Sequence, residues 1–196
     1  IITTDKVYKN LDKEIKFDED SCLGGDDVYS SSKAAADIIS LSYIKSFFNK
    51  TDCNLSTVRA GNCIGGGDWT KYRVLTDSTK AFMKNKNLLI RNPNSTRPWQ
   101  HVLEPISGYL TLGSQLNESI NGEAFNFGPN SSMNKSVLEL IKSIGEKWNK
   151  NGEELYSISK NPTPFVESNL LKLNCDKALF HLKWESTLDY EFTHKF

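Results

Sequence analysis

In the run VYSSSKAAAD, residues 28–37, Tyr29 and Lys33 stand four positions apart. In a helix that spacing puts both side chains on one face, one turn apart. The chemistry that suits such a pair is proton abstraction from an alcohol. A free phenol, with a pKa of about 10, is a poor base at neutral pH, and an ammonium beside it favours the phenolate. A second polar cluster lies upstream, where Ile1 and Ile2 run into Thr3, Thr4, Asp5 and Lys6. A hydroxyl, a carboxylate and an amine in consecutive order after an apolar run read as the polar end of a buried strand. Thr4 precedes Tyr29 by 25 positions.

The elements that must hold these groups follow from periodicity. Residues 1–8 read as a strand and the polar stretch 9–26 as a loop. From Asp27 to Asn49 the pattern is helical, with Ala34, Ile38, Leu41, Ile44 and Phe48 expected on one face. NLSTVRAG (54–61) reads as a buried strand, and NCIGGGDW (62–69) breaks it with glycines. A helix over about 73–85 and a short strand over 88–91 follow. Glu104-Pro105 opens another helix, because proline is tolerated in a first turn. EAFNFG (123–128) alternates as a strand, and Val137, Leu140, Ile141, Ile144 and Trp148 mark a helix. A strand over 154–159 and a short helix over 174–182 complete the reading. Strands alternating with helices argue an α/β sheet.

Composition narrows the function. The chain has 196 residues, 38% hydrophobic and 24% charged, enough for one domain with a core and unlike a disordered segment. Its 24 basic and 24 acidic residues balance, so no positive field draws in a nucleic acid backbone. Cys22, Cys53, Cys63 and Cys175 form no C-x-x-C pair and have no histidine at ligand spacing. Reduced thiols of a cytoplasmic protein, with no metal site, are the plain expectation. No apolar run approaches the roughly 20 residues of a membrane helix.

The Tyr29/Lys33 pair with an upstream threonine resembles the extended short-chain dehydrogenase/reductase family. Thr4-Asp5 directly after a strand is similar to its nucleotide-sugar 4,6-dehydratases. Four stretches sharpen this toward the dehydratases acting on CDP-glucose: CLGGDDVYSSSK (22–33), RAGNCIGGGDW (59–69), IRNPNSTRPWQHVLEPISGYL (90–110) and FNFGP (125–129). The resemblance implies a partial Rossmann-like, doubly wound sheet over about 1–65 and 104–130. A smaller substrate-binding α/β part is expected over about 66–103 and 131–196. The family's glycine-rich turn, which seats the cofactor pyrophosphate on a helix N-terminus, has no counterpart here, since GGGD (65–68) lacks the G-x-G-x-x-G spacing. The chain is therefore expected to be the C-terminal portion of such an enzyme, a single truncated domain that is inactive alone.

In the family's reaction, as the resemblance implies it, Tyr29 takes the proton of the sugar C4 hydroxyl while NAD accepts the C4 hydride. Lys33 holds the cofactor ribose and stabilises the phenolate, and Thr4 hydrogen-bonds the same hydroxyl. Water then leaves across C5–C6, with Asp5 protonating the departing C6 hydroxyl. The hydride returns to C6, giving a CDP-4-keto-6-deoxyhexose. Lys6 is either the base at C5 or a cation that stabilises the developing enolate. Asn62, Arg97, Arg73 and Arg91 match positions that hold the nucleotide. Arg97 is alternatively a surface charge, and Trp69 and Trp99 either line the same pocket or belong to the core. His101 reads as structural and Glu104 as a helix cap. By analogy the full-length form is a homodimer. A 4-epimerase of the same family would need Tyr29 and Lys33 but has no use for Asp5 and Lys6.

Overall fold

The computed structural model describes residues 1–10, 15–48, 50–130, 133–150, 155–159 and 172–193. Its centre is a parallel sheet. Strand β1 (Thr57–Ala60) pairs with β6 (Ala124–Phe127), Val58 opposite Phe125. On the other side of β1, Ile2 bridges Val58 in parallel, with the Thr3 N–H donating to the Val58 carbonyl (2.8 Å). Every residue of β1 is buried, as expected of a strand covered on both faces.

Two helices belong to this sheet. Helix α1 (Val28–Tyr43) starts at Asp27, whose carboxylate accepts the Ser30 N–H (3.0 Å). Helix α3 (Leu103–Gln115) packs on β6, and there Gly108 allows the closest approach. A Cβ on Gly108 would lie 2.3 Å from the Phe127 ring. Phe127 itself sits edge-on between Tyr109 (5.6 Å) and Trp184 (4.8 Å). Val58, Leu112, Phe125, Phe127, Leu182 and Trp184 belong to this first core, so helix α5 (Asp176–Leu182) packs on a sheet formed far earlier in the chain.

A second core gathers Ile64, Phe82, Ile90, Trp99, Leu140 and Ile141. It is framed by α2 (Val74–Met83), α4 (Val137–Lys147) and short strand pairs. β2 (Cys63–Ile64) pairs with β5 (Gln100–His101), and β3 (Leu88–Ile90) pairs with β8 (Tyr156–Ile158). β4 (Thr96–Pro98) runs antiparallel to β7 (Asn134–Ser136). Ser136 and Glu139 close a reciprocal capping box at the start of α4. A four-residue helix, α6 (Tyr190–Thr193), ends the described chain.

Several boundaries differ from expectation for local reasons. The first strand is only the bridge at Ile2; residues Asp5–Val7 form a 3-10 turn because the Thr4 side chain accepts the Lys6 N–H and caps it. The long helix changes at Ile44 into a π turn, Ile44–Phe48, and Asn49 lies outside the described residues. Its buried face is Ser30, Ala34, Asp37 and Ile44 rather than the all-apolar stripe, and Ile38 is 51% exposed. β2, β4, β5 and β7 lie in stretches too short to show periodicity in the sequence.

The Gly108 contact sets a paired test. Gly108→Ala should destabilise the protein by about 1–3 kcal/mol, since the added methyl has to displace an aromatic ring held on two sides. Gly113→Ala, in the same helix with nothing within 4 Å of the added carbon, should stabilise by up to about 1 kcal/mol. Urea-denaturation midpoints measure both.

Candidate active site

Thr4, Asp5 and Lys6 occupy one turn at the end of the Ile1–Thr3 segment. The Thr4 hydroxyl donates to Asp5 Oδ1 (3.0 Å) and accepts the Lys6 N–H (3.4 Å). Asp5 is 2% exposed, and its Oδ2 has no hydrogen-bond partner among the described residues. Burial raises the Asp5 carboxyl above the ordinary carboxylate range; the Lys6 charge, the Thr4 bond and the Arg97 charge oppose this without reversing it. Gly61 follows β1 directly. A Cβ there would meet Pro98 at 2.9 Å and Asp5 Oδ2 at 3.4 Å, so glycine lets the strand end close on the carboxyl.

Two further groups feel Asp5. The Cys63 thiol donates to the Gly61 carbonyl (3.4 Å), and burial of the sulfur, then the Asp5 charge, push it up to about 11. Burial likewise raises the Tyr109 phenol, with Cys63 and Asp5 adding to the effect.

Tyr29 and Lys33 share an open face of α1. Tyr29 is 52% exposed, and the Lys33 ammonium lies 5.9 Å from its ring centroid. The helix packs against the Asp5–Val7 turn. Asp27, two residues before Tyr29, has its carboxyl held low by hydrogen bonds from Ser30, and the Lys6 charge acts in the same direction. Lys6 thus stands within electrostatic reach of both Asp5 and the start of α1.

The nucleotide-binding candidates gather elsewhere. Asn62, Trp69, Arg73, Arg91, Arg97 and Trp99 all line one cleft of ≈ 340 Å³. Arg97 is 4% exposed, and one guanidinium nitrogen donates to the Thr96 carbonyl (2.8 Å). Arg91 is exposed, and Arg73 makes only an exposed ion pair with Asp68 (3.6 Å). Trp99 is both core and lining, its indole N–H donating to the Lys135 carbonyl (3.0 Å). Trp69 is 59% exposed under the Lys80 ammonium. His101 is buried and accepts the Leu103 N–H on Nδ1 (3.3 Å). Glu104 does not cap α3, which already begins at Leu103. Its carboxylate instead accepts the N–H groups of Thr187 (3.0 Å) and Leu188 (2.6 Å).

Sequence reading missed a buried polar cluster behind this site. The Asp37 carboxylate accepts Arg59 Nε (2.9 Å) and Nη2 (2.8 Å), Thr3 Oγ1 (3.0 Å) and Thr57 Oγ1 (3.2 Å). Arg59 also donates to the Tyr8 hydroxyl (3.0 Å), which donates to Asn126 Oδ1 (2.6 Å). Burial alone would weaken the Arg59 cation, but its bonds to Asp37 and Tyr8 hold its pKa raised. The available signal was a carboxylate falling on the buried stripe of a helix, four residues after Lys33. Among the described residues no cluster of three or more His, Cys, Asp or Glu is placed to hold a metal ion, and no helix is long and apolar enough to cross a membrane.

A parallel sheet flanked by helices, with a tyrosine–lysine pair on one helix and a Thr-Asp-Lys turn at a strand end, is the architecture of a Rossmann-type α/β protein. The chain belongs to the NAD dependent epimerase/dehydratase family, whose model matches residues 1–128. It is 39% identical over 190 residues to the CDP-glucose 4,6-dehydratase of Salmonella typhimurium, covering 93% of this chain and 52% of that enzyme. It thus spans about half the length of that curated relative. Among solved structures it superposes on dTDP-glucose 4,6-dehydratase from Bacillus anthracis in complex with NAD with a TM-score of 0.82, at 24% identity, covering 99% of this chain and 58% of that one. UDP-glucuronic acid 4-epimerase from Bacillus cereus superposes equally well, TM-score 0.82 at 19% identity, over 97% of this chain and 56% of that one. These likenesses establish the fold.

All four cysteines are free thiols. Cys22 and Cys63 are both exposed, but with its thiol pushed up to about 11 Cys63 should react with iodoacetamide at pH 7.5 at least about 10-fold more slowly than Cys22, since only the thiolate attacks. Peptide mass spectrometry over a labelling time course measures the order.

Proposed function

We propose that the protein containing this chain is an NAD-dependent nucleotide-sugar 4,6-dehydratase acting on CDP-glucose. The observation that carries this reading is the buried Asp5 carboxyl, raised toward its neutral form and lodged in the same turn as Thr4. A 4-epimerisation has no step for such a group. An elimination of water across C5–C6 needs an acid to protonate the leaving hydroxyl, and a carboxyl raised by burial keeps its proton to higher pH than an ordinary one and is suited to give it. The 39% identity to a CDP-glucose 4,6-dehydratase supports the choice of substrate.

The residues divide the work as follows. Tyr29, on the open face of α1, takes the proton of the C4 hydroxyl. Lys33, its ammonium 5.9 Å from the Tyr29 ring centroid, would with Tyr29 hold the ribose of NAD; their exposed face leaves room for it. NAD, when bound, accepts the hydride from C4 and returns it to C6. Thr4 would bond the C4 oxygen by turning its hydroxyl proton from Asp5 Oδ1 toward it, since the single proton of the C4 hydroxyl goes to Tyr29. Lys6 lies in the same turn as Asp5 and within electrostatic reach of Asp27 at the start of α1, where it is either the base at C5 or a cation that stabilises the developing enolate. Asn62, Arg73, Arg91 and Arg97 hold the diphosphate and base in the cleft.

Incubating the whole enzyme with CDP-glucose and following the alkaline absorbance of a 4-keto sugar tests the reaction. Product should form with the parent enzyme and fall by at least about 10³-fold with Tyr29→Phe, which removes the proton acceptor. An enzyme that inverts C4 without losing water would refute the dehydratase reading.

Asp5→Asn separates catalysis from stability. A carboxyl raised in the folded state stabilises the fold below the unfolded pKa and loses that contribution as pH rises through the folded one. At pH 7 the buried, underpartnered Asp5 therefore opposes folding. Asp5→Asn should abolish 4-keto product yet match or exceed the parent's melting midpoint at pH 7, and the gap should close on approach to pH 4. Calorimetry across that range measures it.

A further inference from the structure

We propose that Thr3 and Asp37 are positioning residues that set the distance between the two catalytic segments, with the Thr3 hydroxyl bonded to a carboxylate on the helix of Tyr29 and Lys33. This rests on the assignment of Thr4, Tyr29 and Lys33 to one reaction centre. Asp37 lies one helical turn beyond Lys33 and two beyond Tyr29, on the buried side adjoining their open face, so its height along the axis fixes theirs. Thr3 is the residue directly before Thr4. Its hydroxyl lies 3.0 Å from Asp37 Oδ2 and 3.1 Å from the Val58 carbonyl. Both residues are buried, Thr3 at 9% and Asp37 at 3% exposure, so water does not compete for the bond.

The division of bonds at Asp37 distinguishes positioning from simple stability. Arg59 already closes the ion pair through two nitrogens, at 2.8 and 2.9 Å, and Thr57 adds a third donor on the Oδ1 side. The charge is therefore compensated without Thr3. What the Thr3 bond adds is a direct tie from the Thr4 segment to α1, across 34 residues of chain. Tyr29 has no comparable anchor of its own: it is half exposed on the open side of the helix. Catalytic groups that sit on different elements and act on one hydroxyl lose rate steeply when displaced, by about 100-fold for 1 Å. The nucleotide-binding candidates are on other elements, in the cleft around Arg97 and Trp99, and do not depend on this tie.

Thr3→Val keeps the side-chain shape and removes only the hydroxyl, and Thr3→Ser keeps the hydroxyl. The whole enzyme is assayed for oxidation at C4, the step common to dehydration and epimerisation, on whichever nucleotide sugar it turns over. Failure of the dehydratase reading would show as the absence of a 4-keto product and leave this test intact. Assayed well below the melting midpoint, Thr3→Val should lower kcat by about 10-fold or more with KM unchanged, a loss larger than its small fall in midpoint accounts for, and Thr3→Ser should restore kcat. An unchanged kcat in Thr3→Val, or a kcat that falls only in step with the melting midpoint, would overturn the proposal.

Discussion

The carboxylate of Asp37 is the point at which strand, helix and polar loop are joined. Burying it is unfavourable unless the charge is paired, and removing the Arg59 partner of such a buried ion pair typically costs about 3–5 kcal/mol. Here the donors are three residues on two segments: Thr3 before the Asp5–Val7 turn, and Thr57 and Arg59 on β1. Arg59 extends the cluster through Tyr8 to Asn126 on β6. The loop after the catalytic turn is drawn in as well, because Glu19 accepts the Asn126 N–H (2.7 Å) and its own backbone carbonyl accepts from Arg59 (3.0 Å). An apolar core fixes only how closely α1 approaches the sheet. Directional bonds to one carboxylate also fix its rotation and height.

Asp5 shows the opposite use of burial. Its Oδ2 lies among Gly61, Pro98 and the neighbouring Arg97 charge with no donor bonded to it. The fold tolerates this because the stabilising contacts lie behind it, in the Asp37 cluster and in the ring stack of Tyr8 on Phe17 (5.2 Å). A strained or underpartnered group at a reactive position, offset by well-satisfied groups nearby, is the usual division in enzymes.

Much of this was legible in the sequence. The Tyr29/Lys33 pair and the polar Thr4-Asp5-Lys6 cluster could be read from residue type and spacing, though the cluster was expected at a strand end and forms a 3-10 turn, and α3 and α4 could be read from apolar periodicity. Of the strands flanking the cleft, β3 was read at 88–91, but β2, β4 and β5 were not, because two- and three-residue strands carry no period. The face of α1 was misread because the eye follows apolar residues, while this helix buries Ser30 and Asp37 and leaves Ile38 and Ile39 more than half exposed. Cys63 and Tyr109 were invisible as neighbours of Asp5: they come from a different strand and helix, and only the tertiary fold brings them near.

The first core has a consequence for how the polypeptide reaches its native state. Its members run from Val58 on β1 through Phe127 on β6 to Trp184 beyond α5. Sheet pairing links residue 57 to residue 124, so little of this cluster is local in the chain. A nascent polypeptide emerging from the ribosome can form α1 and the capping box of α4 early, but the sheet stays half covered until Trp184 has been synthesised and closes on Phe127. During that interval β1 and β6 present apolar surface and unsatisfied strand edges, the condition in which chains engage chaperones or one another.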